Sequence, residues 1–87
     1  MESIPKLRDA AIHLEPAVRI GKNGVTLGII SEIKVLLEKR QLIKIKILQG
    51  AIEQSQKEEL VEDVVKKTES VLVQQVGLTF TLYKAKN

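Results

Sequence analysis

The stretch Arg19–Ile33, RIGKNGVTLGIISEI, changes its hydrophobic period halfway along, and that change decides the fold. The residues before the change, Ala17–Ile20, are predicted to form a short strand with Val18 and Ile20 on one face. The residues after it carry apolar side chains at helical spacing. An Asn-Gly pair between two apolar runs is typical of a hairpin, but the helical period downstream predicts a strand-to-helix turn at GKNG, residues 21–24.

The helix that follows this turn is predicted over about residues 26–40, with Thr26 as its N-cap. Lys39 and Arg40 lie in its last turn, where positive charge suits the negative end of the helix dipole. A set of apolar residues recurs at helical spacing and predicts the buried stripe of this helix. They are Ile29, Ile30, Ile33, Leu36 and Leu37.

An N-terminal helix and a basic strand flank this unit. The helix is predicted to begin near Pro5 and to end before Pro16, because proline cannot donate a helical hydrogen bond. The run LIKIKIL, residues 42–48, alternates between apolar and basic side chains, which predicts a strand. Its isoleucines are expected to face the core, whereas Lys44 and Lys46 face the other way.

The rest of the chain predicts a further helix and a hairpin. Ser55–Glu58, SQKE, has the pattern of a capping box that starts a helix. Val71–Val76 and Thr79–Lys84 are two β-rich runs divided by Gly77, which predicts a hairpin. The chain is therefore expected to form one domain over residues 1–87. Its predicted fold is an α/β two-layer sandwich, in which an N-terminal helix precedes β-α-β-α-β-β and the four strands form one mixed sheet.

The composition restricts the possible functions. The chain has no cysteine, which excludes disulfides and thiolate chemistry, and His13 is its only histidine. The first nine residues, MESIPKLRD, do not resemble a signal peptide, and no apolar run approaches the ~20 residues of a membrane span. We therefore expect a cytoplasmic protein with no cofactor, no metal and no membrane partner.

The positive charge is concentrated in one part of the chain. The net charge is +3, and residues 21–50 hold six basic and two acidic residues, a net +4. Residues 1–20 are balanced, and residues 51–87 carry a net −1. This asymmetry indicates a polyanion as partner, although a solvated lysine-rich surface accounts for the charge alone equally well.

The turn at residues 21–24 offers a place for such a partner. Its two glycines permit positive φ and remove the side chains that would keep a ligand away. Backbone amides at the start of a helix favour an anion, and Lys22 adds a mobile cation. KH domains clamp nucleic-acid backbone with a GxxG loop of this kind. A plain turn is the alternative, but Arg19, Lys44 and Lys46 nearby favour the anion site.

An ordered set of short motifs extends over nearly the whole chain. The motifs are Leu7-Arg8, Leu14 with Pro16, Val18 and Ile20, Gly21-x-x-Gly24-Val25-Thr26, Ile30, Glu32 and Ile33, Leu42-Ile43-Lys44-Ile45-Lys46, Thr68, Gly77 and Leu82-Tyr83-Lys84. Together they resemble the CRM domain family (chloroplast RNA splicing and ribosome maturation), and in particular its stand-alone YhbY-like members. Three positions depart from the family pattern, namely Glu15, Gln41 and Leu78. Leu78 stands where a basic residue is usual, which weakens a role for the hairpin tip.

The resemblance implies a fold similar to the C-terminal domain of bacterial translation initiation factor three. It also implies RNA binding and association with precursors of the large ribosomal subunit. The RNA-binding residues carried across are Gly21, Lys22, Asn23 and Gly24 in the loop, with Arg19, Lys44, Lys46 and Lys84 as flanking cations.

Recognition through stacked aromatic rings is not expected. Phe80 and Tyr83 are the only aromatic residues, and alternation along a strand predicts that at most one of them lies in the core. We therefore expect contacts to phosphate, sugar and shape, with weak base specificity.

Two other functions remain open at the level of the sequence. The chain has the size and charge of an Alba-type DNA- or chromatin-binding protein, and it could also be a protein–protein adaptor. An enzyme is the least supported class, since the chain has a single histidine, no cysteine and no evident cleft. We expect binding without catalysis, by a monomer.

Overall fold

The computed structural model describes residues 3–86, except for the side chain of Gln54, and confirms the predicted mixed α/β fold. Three α-helices, one 3-10 turn and four strands make up these residues. They are α1 (Ile4–Ile12), β1 (Pro16–Ile20), α2 (Leu27–Arg40), β2 (Leu42–Ile47), the 3-10 turn Gln54–Gln56, α3 (Lys57–Thr68), β3 (Val71–Val76) and β4 (Thr79–Tyr83).

The strands form one mixed sheet in the order β1-β2-β4-β3. β1 and β2 are parallel, so the chain must cross over between them, and α2 provides that crossover. β4 is antiparallel to both of its neighbours, and the predicted hairpin of β3 and β4 turns at Gly77, whose φ is +56°. The two central strands are therefore β2 and β4.

The main core lies between one face of the sheet and the helices α2 and α3. β2 contributes Ile43, Ile45 and Ile47, all of them buried as the alternation predicted. The predicted stripe of α2 is also confirmed, since Ile30, Ile33 and Leu37 are buried in the same cluster and Ile29 and Leu36 pack at its margin. From α3, Val61 and Val64 belong to the same cluster, and β1 and β4 also contribute to it.

Helix α1 packs on the opposite face of the sheet. Leu7 forms a second, smaller cluster with Val73 and Tyr83, and Leu42 packs against it. Leu42 precedes an inward-facing residue of β2, and Tyr83 follows an inward-facing residue of β4. Because successive side chains of a strand alternate between its faces, both point away from α2 and α3. The two-layer arrangement thus holds for α2 and α3, and α1 adds a short third layer.

This third layer corrects the expectation for the aromatic residues. Phe80 is 1% exposed and Tyr83 is 6% exposed, so both are core residues. The prediction that at most one of them is buried is wrong because it assumed a single core. Alternation does send the two rings to opposite faces, but each face has its own hydrophobic cluster.

The docking of α1 includes one polar contact to the sheet. Arg8 donates from Nε to the carbonyl oxygen of Val73 at 3.1 Å. Val73 lies at an irregularity in the pairing of β3 with β4, between Leu72 and Gln74. The guanidinium therefore satisfies a carbonyl at the outer edge of the sheet.

The helix termini agree with the sequence at α2 and differ from it at α3. Thr26 caps α2, because its hydroxyl accepts a hydrogen bond from the amide of Ile29 at 3.1 Å. The predicted capping box at Ser55–Glu58 is wrong, since α3 begins at Lys57 and its N-cap, Gln56, makes no side-chain cap bond. The Gln56 side chain instead accepts from the amide of Glu53. Lys57 donates to the carbonyl oxygen of Gly77 at 2.9 Å, which ties the start of α3 to the hairpin.

Candidate nucleic-acid interface

The turn Gly21–Gly24 projects from the sheet directly after the last residue of β1. The amide of Gly24 donates to the carbonyl oxygen of Gly21 at 2.9 Å, which closes a β-turn. Gly24 has a φ of +67°, in the left-handed region that favours glycine. Lys22 and Asn23 form the tip, and both are exposed. The turn is therefore a fixed support that presents two polar side chains to solvent.

Backbone donors near this turn are fewer than the sequence suggested. The amide of Gly24 is used within the turn, and the amide of Ile29 is used by the Thr26 cap. The amides of Leu27 and Gly28, at the first two positions of α2, have no acceptor within the helix. An anion held here would therefore meet the side chains of the tip and the first amides of α2, rather than a ring of free turn amides.

Arg19, Lys44 and Lys46 lie on the face of the sheet that points away from α2 and α3. Arg19 is the register partner of Lys46 in the parallel pair, so their side chains leave the same face on adjacent strands. Lys44 is two residues earlier on β2 and shares this face. We call these three residues the sheet cations. They lie along this face, which we call the open face, near the end of β1 from which the turn projects.

Lys84 lies at the other end of the sheet. It follows Tyr83, the partner of Leu42, whereas the turn follows Ile20, the partner of Ile47, so the whole length of β2 separates Lys84 from the turn, about 17 Å at ~3.3 Å per residue. Its ammonium group donates to the carbonyl oxygen of Thr68, at the end of α3, at 3.4 Å. The structure thus brings Arg19, Lys44 and Lys46 together with the turn, and it does not bring Lys84 to them.

A shallow groove on the open face was not found from the sequence. It has a volume of about 220 Å³ and lies between the last residue of α1 and strands β2, β3 and β4. Its lining residues are Ile12, Lys44, Gln74, Val76, Thr79 and Thr81. The alternation of threonines in β4 is the one local pattern that indicates a polar face here. The other lining residues come from different elements, so they could be grouped only once the strand order was known.

Two further findings bear on other kinds of site. Within residues 3–86, no group of three or more histidine, cysteine, aspartate or glutamate side chains is placed to hold a metal ion. In the same residues, no helix has both the length and the apolar character needed to cross a membrane. His13 is exposed at the C-cap of α1.

Comparison with known proteins identifies the family. The profile of the CRS1 / YhbY (CRM) domain matches residues 2–84. The chain belongs to this family. This CRM domain protein is 44% identical over 78 residues to the Bacillus subtilis protein named "Probable RNA-binding protein YqeI". The match covers 90% of this chain and 79% of that protein. A Haemophilus influenzae protein named "RNA-binding protein" is 33% identical over 78 residues, covering 90% of this chain and 77% of that protein.

The CRM fold of this chain also matches a solved structure. The solution structure of the Staphylococcus aureus protein SAV1595 superimposes with a TM-score of 0.81 at 34% sequence identity. The superposition covers 97% of this chain and 85% of that protein. The resemblance stated from the sequence motifs is therefore confirmed at the level of family and fold.

The glycines around the turn should respond differently to substitution by alanine. Gly24→Ala forces a β-carbon into the left-handed region and should lower the free energy of unfolding by about 1–2 kcal/mol. Gly21→Ala should change it by less than ~0.5 kcal/mol, because the new β-carbon would sit 3.6 Å from Leu48 Cδ1, an ordinary contact. Urea denaturation of the purified variants measures both values.

Gly28→Ala is the matched control for this series. Gly28 lies in the first turn of α2, where its new β-carbon would come no closer than 3.8 Å to Thr26 Oγ1, so alanine should stabilise the protein by up to ~1 kcal/mol. Equal losses at Gly24 and Gly21 would contradict the assignment of the left-handed conformation to Gly24 alone.

Proposed function

We propose that this CRM domain protein binds RNA, without catalysing a reaction, through the turn Gly21–Gly24 and the sheet cations. The observation that carries the proposal is the pairing of Arg19 with Lys46 on the open face, at the end of β1 from which Lys22 and Asn23 project. The outward positions of β2 and β4 hold no acidic residue: they are Leu42, Lys44 and Lys46 on β2, and Thr79, Thr81 and Tyr83 on β4. A polyanion can therefore lie along this face without meeting a negative charge on the central strands.

The chemistry of this surface suits a nucleic-acid backbone. Lysine and arginine contribute affinity through phosphate contacts and the release of counterions, and such contacts position the RNA without reading its sequence. The glycines of the turn let a sugar-phosphate backbone approach the main chain closely. Both features support RNA binding, in agreement with the names of the two relatives.

We leave Lys84 out of the proposed surface. Its ammonium group contacts the last carbonyl of α3, which gives it a structural role at the negative end of a helix dipole. Lys39 and Lys86 line a groove of about 460 Å³ together with Lys84, so this end of the molecule has its own basic character.

The finer part of the proposal concerns the target. We propose that the protein acts as a cytoplasmic monomer on ribosomal RNA, in precursors of the large ribosomal subunit. Most structured RNA in a cell is ribosomal, so a surface that recognises charge and shape would bind ribosomal RNA most often. The family resemblance points in the same direction.

Reversing the charge of the turn should abolish binding and leave the fold intact. Lys22→Asp combined with Asn23→Asp puts negative charge where a phosphate must approach, and both side chains are exposed. RNA affinity, measured by fluorescence anisotropy at ~0.1 M salt, where the Debye length is about 10 Å, should fall at least about tenfold.

Ser31→Asp combined with Lys34→Asp is the matched control for that variant. It changes the net charge by the same amount on the exposed side of α2, away from the turn. Its affinity should fall much less. Equal losses in the two variants would assign the effect to total charge and would contradict a site at the turn.

The sheet cations should contribute to the salt dependence of binding. Each phosphate contact removed from a single-stranded RNA makes the slope of log affinity against log salt shallower by about 0.7, so Lys44→Gln combined with Lys46→Gln should change it by about 1.4. Lys39→Gln combined with Lys66→Gln removes the same charge elsewhere and should leave the slope unchanged, as should Lys84→Gln. If the slope changes only in these control variants, the RNA binds at the other end of the sheet and the proposal is contradicted. An affinity that does not depend on salt would instead favour a protein partner.

The cellular target can be tested by sedimentation. Tagged protein should travel with precursor large subunits in a sucrose gradient, be scarce on translating ribosomes and leave the precursors at high salt. The Lys22→Asp/Asn23→Asp variant should remain at the top of the gradient. The assembly role is overturned if the wild-type protein sediments free, follows DNA, or stays in a complex after ribonuclease treatment.

A further inference from the structure

We propose that the groove on the open face holds one unpaired base of the bound RNA, with Gln74 selecting adenine. This inference rests on the proposed RNA binding and adds a base contact to a surface that the sequence predicted to recognise only phosphate, sugar and shape. The groove is open because α1 covers only the end of the face at Leu42 and Tyr83, and stops at Ile12.

The size and the walls of the groove suit a flat ring. Its volume of about 220 Å³ is below the roughly 300 Å³ at which sites for whole small molecules begin, which leaves room for a single heterocycle. Ile12 lines it from α1 and Val76 lines it from β3, and these side chains are 63% and 60% exposed. Apolar contact with a base would cover both of them.

The floor of the groove supplies hydrogen-bonding groups. Thr81 lines the floor of the groove, although only 1% of its surface is exposed. Gln74 is the register partner of Thr81 on β3, and its amide offers both donors and an acceptor.

On the base edge that carries N7 in purines, only adenine offers a donor beside an acceptor, N6–H beside N7, whereas guanine offers two acceptors there, O6 and N7. The amide of Gln74 can therefore form two hydrogen bonds to this edge of adenine and not to the same edge of the other bases, and an unpaired base is free to present it. Val76 and Ile12 provide apolar contact for the ring.

The groove is continuous with the proposed phosphate surface. Lys44 lines the groove and is also one of the sheet cations, and Thr79 on the groove floor is the register partner of Lys46. A strand whose phosphates follow the sheet cations can therefore turn one base toward β3. Phosphate contacts would position that strand, and the base contact would fix its register.

The test uses short oligouridine RNAs that differ only in one central nucleotide. The wild-type protein should bind the RNA with a central adenosine at least about fivefold more tightly than those with uridine, cytidine or guanosine. Gln74→Leu should remove this preference while keeping the affinity for plain oligouridine. Gln75→Leu is the matched control, because Gln75 is the neighbour on β3 that pairs with inward-facing Phe80, and it should keep the preference.

A second measurement separates binding in the groove from an indirect effect. In NMR spectra of the wild-type protein, the Gln74 side-chain amide and the Thr81 methyl signal should shift when the adenosine RNA is added, and shift less with oligouridine. Equal affinity for all four RNAs, with no such shifts, overturns the base site and leaves the proposed function standing. Failure to bind any of these RNAs while ribosomal RNA is still bound also overturns only the base site, whereas failure to bind ribosomal RNA as well overturns both.

Discussion

The alternation of isoleucine and lysine along β2 is the constraint on which the rest of the structure depends. β2 is a central strand, and its three isoleucines are essentially inaccessible to solvent. A shift of the strand by one residue would put Lys44 and Lys46 into the core and the isoleucines into water. The register that builds the hydrophobic core is therefore the same register that aligns the cations on the opposite face, and neither can change without the other.

Much of the fold could be predicted because local patterns decide it. The change of period at residues 21–24 located β1, the turn and α2, and the Thr26 cap follows from the residue type that a helix start prefers. The side on which α1 packs could not be predicted, because a short helix with few apolar residues fits either face of a sheet. For this reason the prediction that at most one of Phe80 and Tyr83 lies in the core is wrong. The capping box failed because the 3-10 turn Gln54–Gln56 leads directly into α3 at Lys57, so Ser55 lies within that turn and is not the N-cap.

The candidate site shows the same division between local and long-range information. Arg19, Lys44 and Lys46 could be grouped from the sequence because alternation and a parallel pairing of neighbouring strands are enough to align them. The position of Lys84 depends on β4 lying between β2 and β3, which no local pattern states. The groove is assembled from α1 and three strands, so its residues come together only once the topology is known.

The hydrogen bond from Arg8 to Val73 has a consequence for how separate molecules behave toward each other. Residues 70–83 contain no charged side chain, and they include β3, which lies at an edge of the sheet with Val71, Leu72 and Val76 exposed. An uncharged edge strand of this kind is a template on which a strand from a second molecule can add, and further molecules can then follow. The irregular pairing around Val73 interrupts the row of free carbonyls, and the guanidinium occupies one of them. By occupying this carbonyl, Arg8 removes one of the acceptors that an added strand would need.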